Sequence, residues 1–134
     1  MPPAPSAQRL RSGERAPEAA AFDTDGQPVR LSSLWPHGPV LLAFLRHFGC
    51  IFCREWLADL QKRYPDLAQA GLLVIAVGLG QPEDAQKIGR RYAPDLTVLA
   101  APTSEAYAAY GIVRAGARQL LSPRTFAAGA RAAL

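Results

Sequence analysis

The sequence predicts an α/β domain built in three layers, with helices on both faces of a mainly parallel sheet. Short apolar runs at 40–45, 72–77 and 96–99 have the length and composition of buried strands. Segments with a helical period separate these runs, and this alternation predicts parallel strands joined by right-handed crossovers. A chain of 134 residues, 49% of them hydrophobic, is long enough for one such domain.

The N-terminal part divides into a leader and a hairpin. Residues 1–18 are rich in proline, alanine and arginine and have no apolar period, so they predict a flexible leader before a domain at 19–134. Residues 21–23 and 28–31 flank 24–27, where an Asp-Gly pair readily adopts positive φ. This pattern predicts an N-terminal β-hairpin.

The first apolar run and the segment after it predict a strand and a long helix. Residues 40–45 are continuously apolar, which suits a strand covered on both faces. Gly71 stands where the helix is expected to end. Apolar residues recur at helical spacing after the cysteines and form a stripe that is expected to face the core, and we interpret Trp56 as one of the core residues of this stripe. Its members are Trp56, Leu57, Leu60, Tyr64 and Leu67.

The rest of the chain alternates in the same way. Residues 72–77 predict the second strand, and 81–92, which open with a proline and two acids, predict a helix. Residues 96–99 predict the third strand, and 104–110 predict a short helix with a serine N-cap. Residues 122–134 also have a helical pattern.

The charge pattern argues against a nucleic-acid partner. The chain has 15 Lys and Arg against 11 Asp and Glu, a net charge of +4. Four arginines spread over the C-terminal tail make a poor surface for binding along a phosphate backbone, so we interpret them as a solvated helical face. These residues are Arg114, Arg118, Arg124 and Arg131.

Hydropathy argues against a membrane partner. No apolar stretch approaches the ~20 residues that a membrane-spanning helix needs. The arginines near the N-terminus are not followed by the apolar region of a signal peptide. We therefore expect a cytoplasmic location. In a reducing compartment, a close cysteine pair is more often catalytic, redox-sensing or metal-binding than structural.

Both cysteines lie between the first buried strand and the long helix, in the stretch RHFGCIFCR at 46–54. At a helix N-terminus, Cys50 would meet unpaired N–H groups and the positive end of the helix dipole, which favour the thiolate. Cys53 lies one helical turn further on, so Cys50 would attack a substrate and Cys53 would resolve the mixed disulfide. Three nearby cationic residues would add positive potential: Arg46, His47 and Arg54.

Other interpretations of the cysteine pair stay open. Closing so short a loop removes little chain entropy, which disfavours a structural disulfide. A structural zinc site needs four ligands, and the two cysteines and two histidines do not have the usual spacing. Inert buried thiols are the main alternative, because a free cysteine is often a small core residue. His47 could equally tune a thiolate or cap the end of the strand.

Several segments of the sequence resemble a known family. Residues 22–34 are similar to the N-terminal hairpin of peroxiredoxins. The run FLRHFGCIFCRE at 44–55 resembles the signature of the peroxiredoxin-like proteins related to selenoprotein U, in the alkyl hydroperoxide reductase and thiol-specific antioxidant superfamily. The similarity continues through 72–77 and the Tyr-Gly-Ile at 110–112, and so covers about residues 20–112.

The resemblance implies a thioredoxin-like fold with a redox-active pair. Some relatives carry selenium at the position that matches Cys50, which implies that Cys50 is the attacking residue. Typical peroxiredoxins have Thr-x-x-Cys with the peroxidatic cysteine at the position of Cys53, whereas Cys50 here replaces the threonine that would hold peroxide. Relatives continue into two antiparallel strands and a final helix, so the resemblance implies a C-terminally shortened domain.

We therefore expect a thiol-dependent oxidoreductase, an antioxidant protein that reduces protein disulfides or hydroperoxides through Cys50 and Cys53. The resemblance implies a thioredoxin- or glutathione-type reductant, and we expect no cofactor and no metal. The alternative is a non-catalytic thioredoxin-like module for redox sensing or interaction. In the shortened fold, residues 40–45 would form an exposed sheet edge, which predicts a homodimer through that edge.

Overall fold

The computed structural model describes residues 9–112 and confirms the predicted α/β class. One five-stranded sheet has the order β2-β1-β5-β4-β3. The strands are β1 (Ala20–Phe22), β2 (Pro28–Arg30), β3 (Val40–His47), β4 (Leu73–Leu79) and β5 (Thr97–Ala101). The helices are α1 (Ile51–Gln69), α2 (Pro82–Tyr92) and α3 (Glu105–Ala109), with a 3-10 turn at Leu31–Ser33.

The predicted N-terminal hairpin is present. Strands β1 and β2 pair antiparallel, and Ala21 lies opposite Val29. Gly26 takes the positive φ of +82° in the turn, and the Asp23 carboxylate accepts the backbone N–H of Gln27 at 2.9 Å. Strand β1 then joins the main sheet through an antiparallel pairing with β5. The last residues of the predicted leader also contact the domain, since the Tyr110 hydroxyl donates to the Pro17 carbonyl at 2.8 Å.

The three remaining strands run parallel and carry a core on each face. Strand β4 lies between β3 and β5, with Ala76 opposite both Ala43 and Val98. One face packs against α1 and α2 around the fully buried Leu57. The other face packs around Ile75 together with residues of α3 and of the 3-10 turn. This arrangement has the three predicted layers.

The helix boundaries follow the sequence signals. Gly71, with φ of +86°, follows the C-cap of α1, and its N–H donates to the Ala68 carbonyl at 3.0 Å, as predicted for the end of this helix. At the start of α2, Gln81 and Asp84 form a reciprocal capping box and Pro82 occupies the first turn. The predicted helix at 81–92 is therefore confirmed.

Of three predictions about local environment, one is wrong and two hold only in part. Strand β3 is covered only in part: Leu45 packs in the core on one face and Phe44 packs against the core on the other, but Leu41 is 36% exposed. Trp56 is not a core residue but is 54% exposed, because the neighbouring Leu57 occupies the direction that faces the sheet. Ser104 is the N-cap residue of α3, as predicted, but its hydroxyl makes no capping hydrogen bond.

The predicted helix at 122–134 and the four tail arginines lie outside the described residues. Within 9–112, no helix is long and apolar enough to cross a membrane. Among residues 9–112, β3 is the outermost strand of the sheet on its side. Association through that edge stays a prediction.

Candidate active site

Cys50 is the N-cap residue of α1, as the sequence predicted. Its backbone is extended, its N–H donates to the His47 carbonyl at 3.1 Å, and its own carbonyl accepts the N–H of Cys53 at 3.1 Å. Its side chain makes no capping hydrogen bond and is 9% exposed. Cys50 therefore stands at the end of α1 where the first backbone N–H groups have no acceptor within the helix.

The loop that carries Cys50 is anchored by Phe48. This ring is buried, and the Phe48 N–H donates to the Leu79 carbonyl at 3.2 Å. The ring lies directly on the backbone at Gly78 and Gly80, where an added Cβ would come within 2.5 and 2.7 Å of ring carbons. Sequence reasoning missed all three positions, although two glycines separated by one residue at a strand end can signal a close approach.

Cys53 lies in the first turn of α1 and is more deeply buried, at 4% exposed. Its Sγ accepts the backbone N–H of Arg46 at 3.2 Å. Burial raises the pKa of the Cys53 thiol, and the neighbouring Cys50 raises this pKa further, while the backbone N–H groups of His47 and Arg46 oppose the increase. Cys53 is therefore held mainly as a protonated thiol beside a donor that would stabilise its thiolate.

The three predicted supporting residues lie at different positions around the cysteine loop. Arg46 and His47 are exposed, and Arg46 contacts Cys53 through its backbone. The Arg54 guanidinium lies over the Tyr92 ring of α2, 5.9 Å from its centre. In the part of the chain that the structure describes, no side-chain hydrogen bond joins these cations to either thiol. The hydrogen bond that the structure shows at the Cys53 sulfur comes from the backbone, and the supporting roles of the three side chains stay predictions.

Two cavities flank the pair. A groove of about 540 Å³ between β3 and α1 has the buried Cys53 in its lining, next to the exposed ring of Trp56. Its lining residues are Phe44, Leu45, Arg46, Phe52, Cys53, Glu55, Trp56 and Asp59. A second cavity of about 370 Å³ lies between the cysteine loop and α2. Its lining includes His47, Phe48, Gly49 and Arg54.

The described part of the chain contains no cluster of metal-ligating side chains. Across residues 9–112, no three His, Cys, Asp or Glu side chains come close enough to hold a metal ion. Cys50 and Cys53 are free thiols.

The sequence is similar to curated proteins over part of its length. Over 53 residues it is 45% identical to the prostamide/prostaglandin F synthase of Salmo salar, a match that covers 40% of this chain and 26% of that protein. Over 62 residues it is 32% identical to peroxiredoxin-like 2C of Bos taurus, covering 46% of this chain and 27% of that protein. The chain thus spans about a quarter of the length of these relatives.

A solved structure shows the same fold. Peroxidoxin BcpB of Mycobacterium tuberculosis aligns with a TM-score of 0.73 at 19% identity, covering 81% of this chain and 71% of that one. This likeness confirms the thioredoxin-like architecture. The sequence itself matches the AhpC/TSA family over residues 12–131, which is most of the chain. The protein is therefore a member of the AhpC/TSA family with a thioredoxin-like fold.

Proposed function

We propose that the protein is a thiol–disulfide oxidoreductase that works through Cys50 and Cys53. The observation that carries this proposal is the placement of the pair. Cys50 caps the N-terminus of α1, and Cys53 lies one turn later with a backbone N–H directed at its sulfur. A site of this kind favours one thiolate for attack and keeps a second thiol ready for resolution.

The reaction has two exchanges. The Cys50 thiolate attacks one sulfur of a substrate disulfide, so a Cys50–substrate disulfide forms and the other substrate sulfur leaves as a thiolate. Cys53 then loses its proton and attacks the Cys50 sulfur, which releases the second substrate thiolate and leaves a Cys50–Cys53 disulfide. The substrate gains two electrons, and either one external dithiol of thioredoxin type or two monothiols of glutathione type return two electrons to the Cys50–Cys53 disulfide and leave as a disulfide.

A hydroperoxide is the second candidate substrate. A thiolate would take the terminal oxygen, giving a sulfenic acid and an alcohol, and the other cysteine would then displace water to form the same disulfide. The groove and the Arg46 N–H both lie at Cys53, the position that is peroxidatic in typical peroxiredoxins. Burial, which raises the pKa of Cys53, favours the assignment of the attack to Cys50 instead.

Mass spectrometry of the intact protein tests whether the pair is redox-active at all. Mild oxidation is expected to remove two hydrogen atoms, and a dithiol reductant is expected to restore them, because an active pair cycles between dithiol and disulfide. Disulfide-reduction and peroxide-consumption assays run side by side then identify the substrate class. A mass that oxidant leaves unchanged would support a non-catalytic interaction module, whereas a reversible mass change without activity in either assay would support a redox-sensing module.

The groove beside Cys53 is proposed as the path of a protein substrate. Trp56 presents an exposed indole at this groove, and exposed aromatic residues are common anchors for protein partners. Trp56→Ala is expected to raise KM for a protein disulfide by about fivefold or more, with little change in kcat. Leu73→Ala is the control, because Leu73 is also exposed but lies at the opposite end of the sheet. Equal effects of the two substitutions would contradict this path.

A further inference from the structure

Tyr107 carries a buried hydroxyl that the proposed reaction does not yet use. Its side chain, on α3, is 5% exposed. The hydroxyl donates to the Leu45 carbonyl and lies 3.1 Å from the Val77 carbonyl, between strands β3 and β4. Burial raises the pKa of Tyr107, so the group stays protonated and remains a hydrogen-bond donor.

The carbonyl that Tyr107 contacts belongs to the peptide group that contacts Cys53. The register between β3 and β4 shifts between Phe44 and His47, and the Leu45–Arg46 peptide lies within this shift. The carbonyl of this peptide accepts from Tyr107, and its N–H donates to Cys53 Sγ at 3.2 Å. In a trans peptide these two groups point in opposite directions, so one planar unit connects the hydroxyl with the sulfur.

We propose that Tyr107 is a positioning residue, whose hydroxyl fixes and polarises the Leu45–Arg46 peptide and thereby strengthens the hydrogen bond from its N–H to the Cys53 thiolate. Hydrogen bonds in a chain polarise one another, so a donor at the carbonyl makes the N–H of the same peptide a better donor. The thiolate form gains more than the thiol, because a charged acceptor binds an N–H more strongly than a neutral one.

The proposal rests on the proposed function in one respect, the need for Cys53 to ionise during resolution. The other titratable and charged groups near this thiol are Cys50 and the side chains that line the groove. Those side chains are Arg46, Glu55 and Asp59. Cys50 also contacts Cys53 through its side chain. The peptide differs from the groove side chains because its N–H donates directly to the Cys53 sulfur. A change of the Tyr107 hydroxyl alone therefore tests the peptide and leaves these charges in place.

The test measures the ionisation of Cys53 in a Cys50→Ser background, so that only one thiol titrates. Thiolate absorbance followed against pH reports ionisation without requiring access to the buried sulfur. Tyr107→Phe is expected to move the midpoint upward, which lowers the thiolate fraction at neutral pH by about two- to fivefold. Arg46 and the groove charges are unchanged, so a shift in midpoint reports the lost hydroxyl.

Tyr110→Phe is the matched control. Both tyrosine rings pack on Phe44, at 4.9 and 5.1 Å between ring centres, but the Tyr110 hydroxyl donates to Pro17 and not to the cysteine site. Thermal unfolding of both variants gives the structural cost of losing each hydroxyl. A midpoint that moves in Tyr107→Phe and not in Tyr110→Phe supports the proposal. A midpoint that moves in neither, or equally in both, overturns it, whether or not the wild-type protein reduces disulfides.

Discussion

Cys50→Ser is expected to reduce disulfide-reductase activity by about a thousandfold or more, because a serine hydroxyl is not ionised at neutral pH and cannot form the mixed disulfide. The substitution exchanges sulfur for oxygen at a helix N-cap, a position that serine fills well, so the fold should be retained. Steady-state reduction of a protein disulfide, with thermal unfolding as a check of folding, measures the effect.

Cys53→Ser is the companion variant and should behave differently. Cys50 is still able to attack, but no resolving thiol remains, so a Cys50–substrate disulfide should accumulate and be visible on a non-reducing gel. The assignment of roles would be reversed by one result. If Cys50→Ser still forms a sulfenic acid with peroxide and Cys53→Ser does not, then Cys53 is the attacking residue and the chemistry is of peroxiredoxin type.

Gly78→Ala is expected to lower the free energy of unfolding by about 1–3 kcal/mol, because a new methyl group would overlap the buried Phe48 ring. The added Cβ would lie 2.5 Å from a ring carbon, so either the ring or strand β4 must move. The ring belongs to the loop that positions Cys50, and we therefore expect activity to fall together with stability. Chemical denaturation and the disulfide assay measure the two effects.

Two further variants distinguish steric overlap between the Phe48 ring and an alanine at position 78 from a general perturbation of the cysteine loop. Gly49→Ala changes a glycine in the same loop, but the nearest atom to the added Cβ is in the exposed His47 side chain at 3.3 Å, which can move aside. The effect of Gly49→Ala on the free energy of unfolding should be small. Phe48→Leu, which shortens the ring side chain, should recover part of the stability lost in Gly78→Ala. Additive losses in the double variant would show that Phe48 and Gly78 do not interact as described.

Local signals in the sequence determined the elements and the position of the cysteine pair. Continuous apolar runs predicted the three parallel strands, since a buried strand must be apolar over its length. Gly71 and Pro82 fixed helix ends through backbone conformation, which depends on the residue itself. The spacing of Cys50 and Cys53 after a strand placed the first thiol at a helix N-terminus, and the structure agrees.

Tertiary structure alone decided how the site is built around those cysteines. Charge in the sequence suggested that Arg46 and Arg54 act on the pair, but side-chain direction depends on packing, and Arg54 lies over Tyr92. The exposure of Trp56 likewise follows from the packing of α1, which places Leu57 rather than Trp56 against the sheet. Tyr107 is distant from Cys53 in sequence. The two are connected through the Leu45–Arg46 peptide, because α3 packs against β3 and β4 at the point where the register between these strands shifts. Such relations are set by the packing of distant segments, whereas strands, helix ends and the cysteine spacing are set by neighbours along the chain.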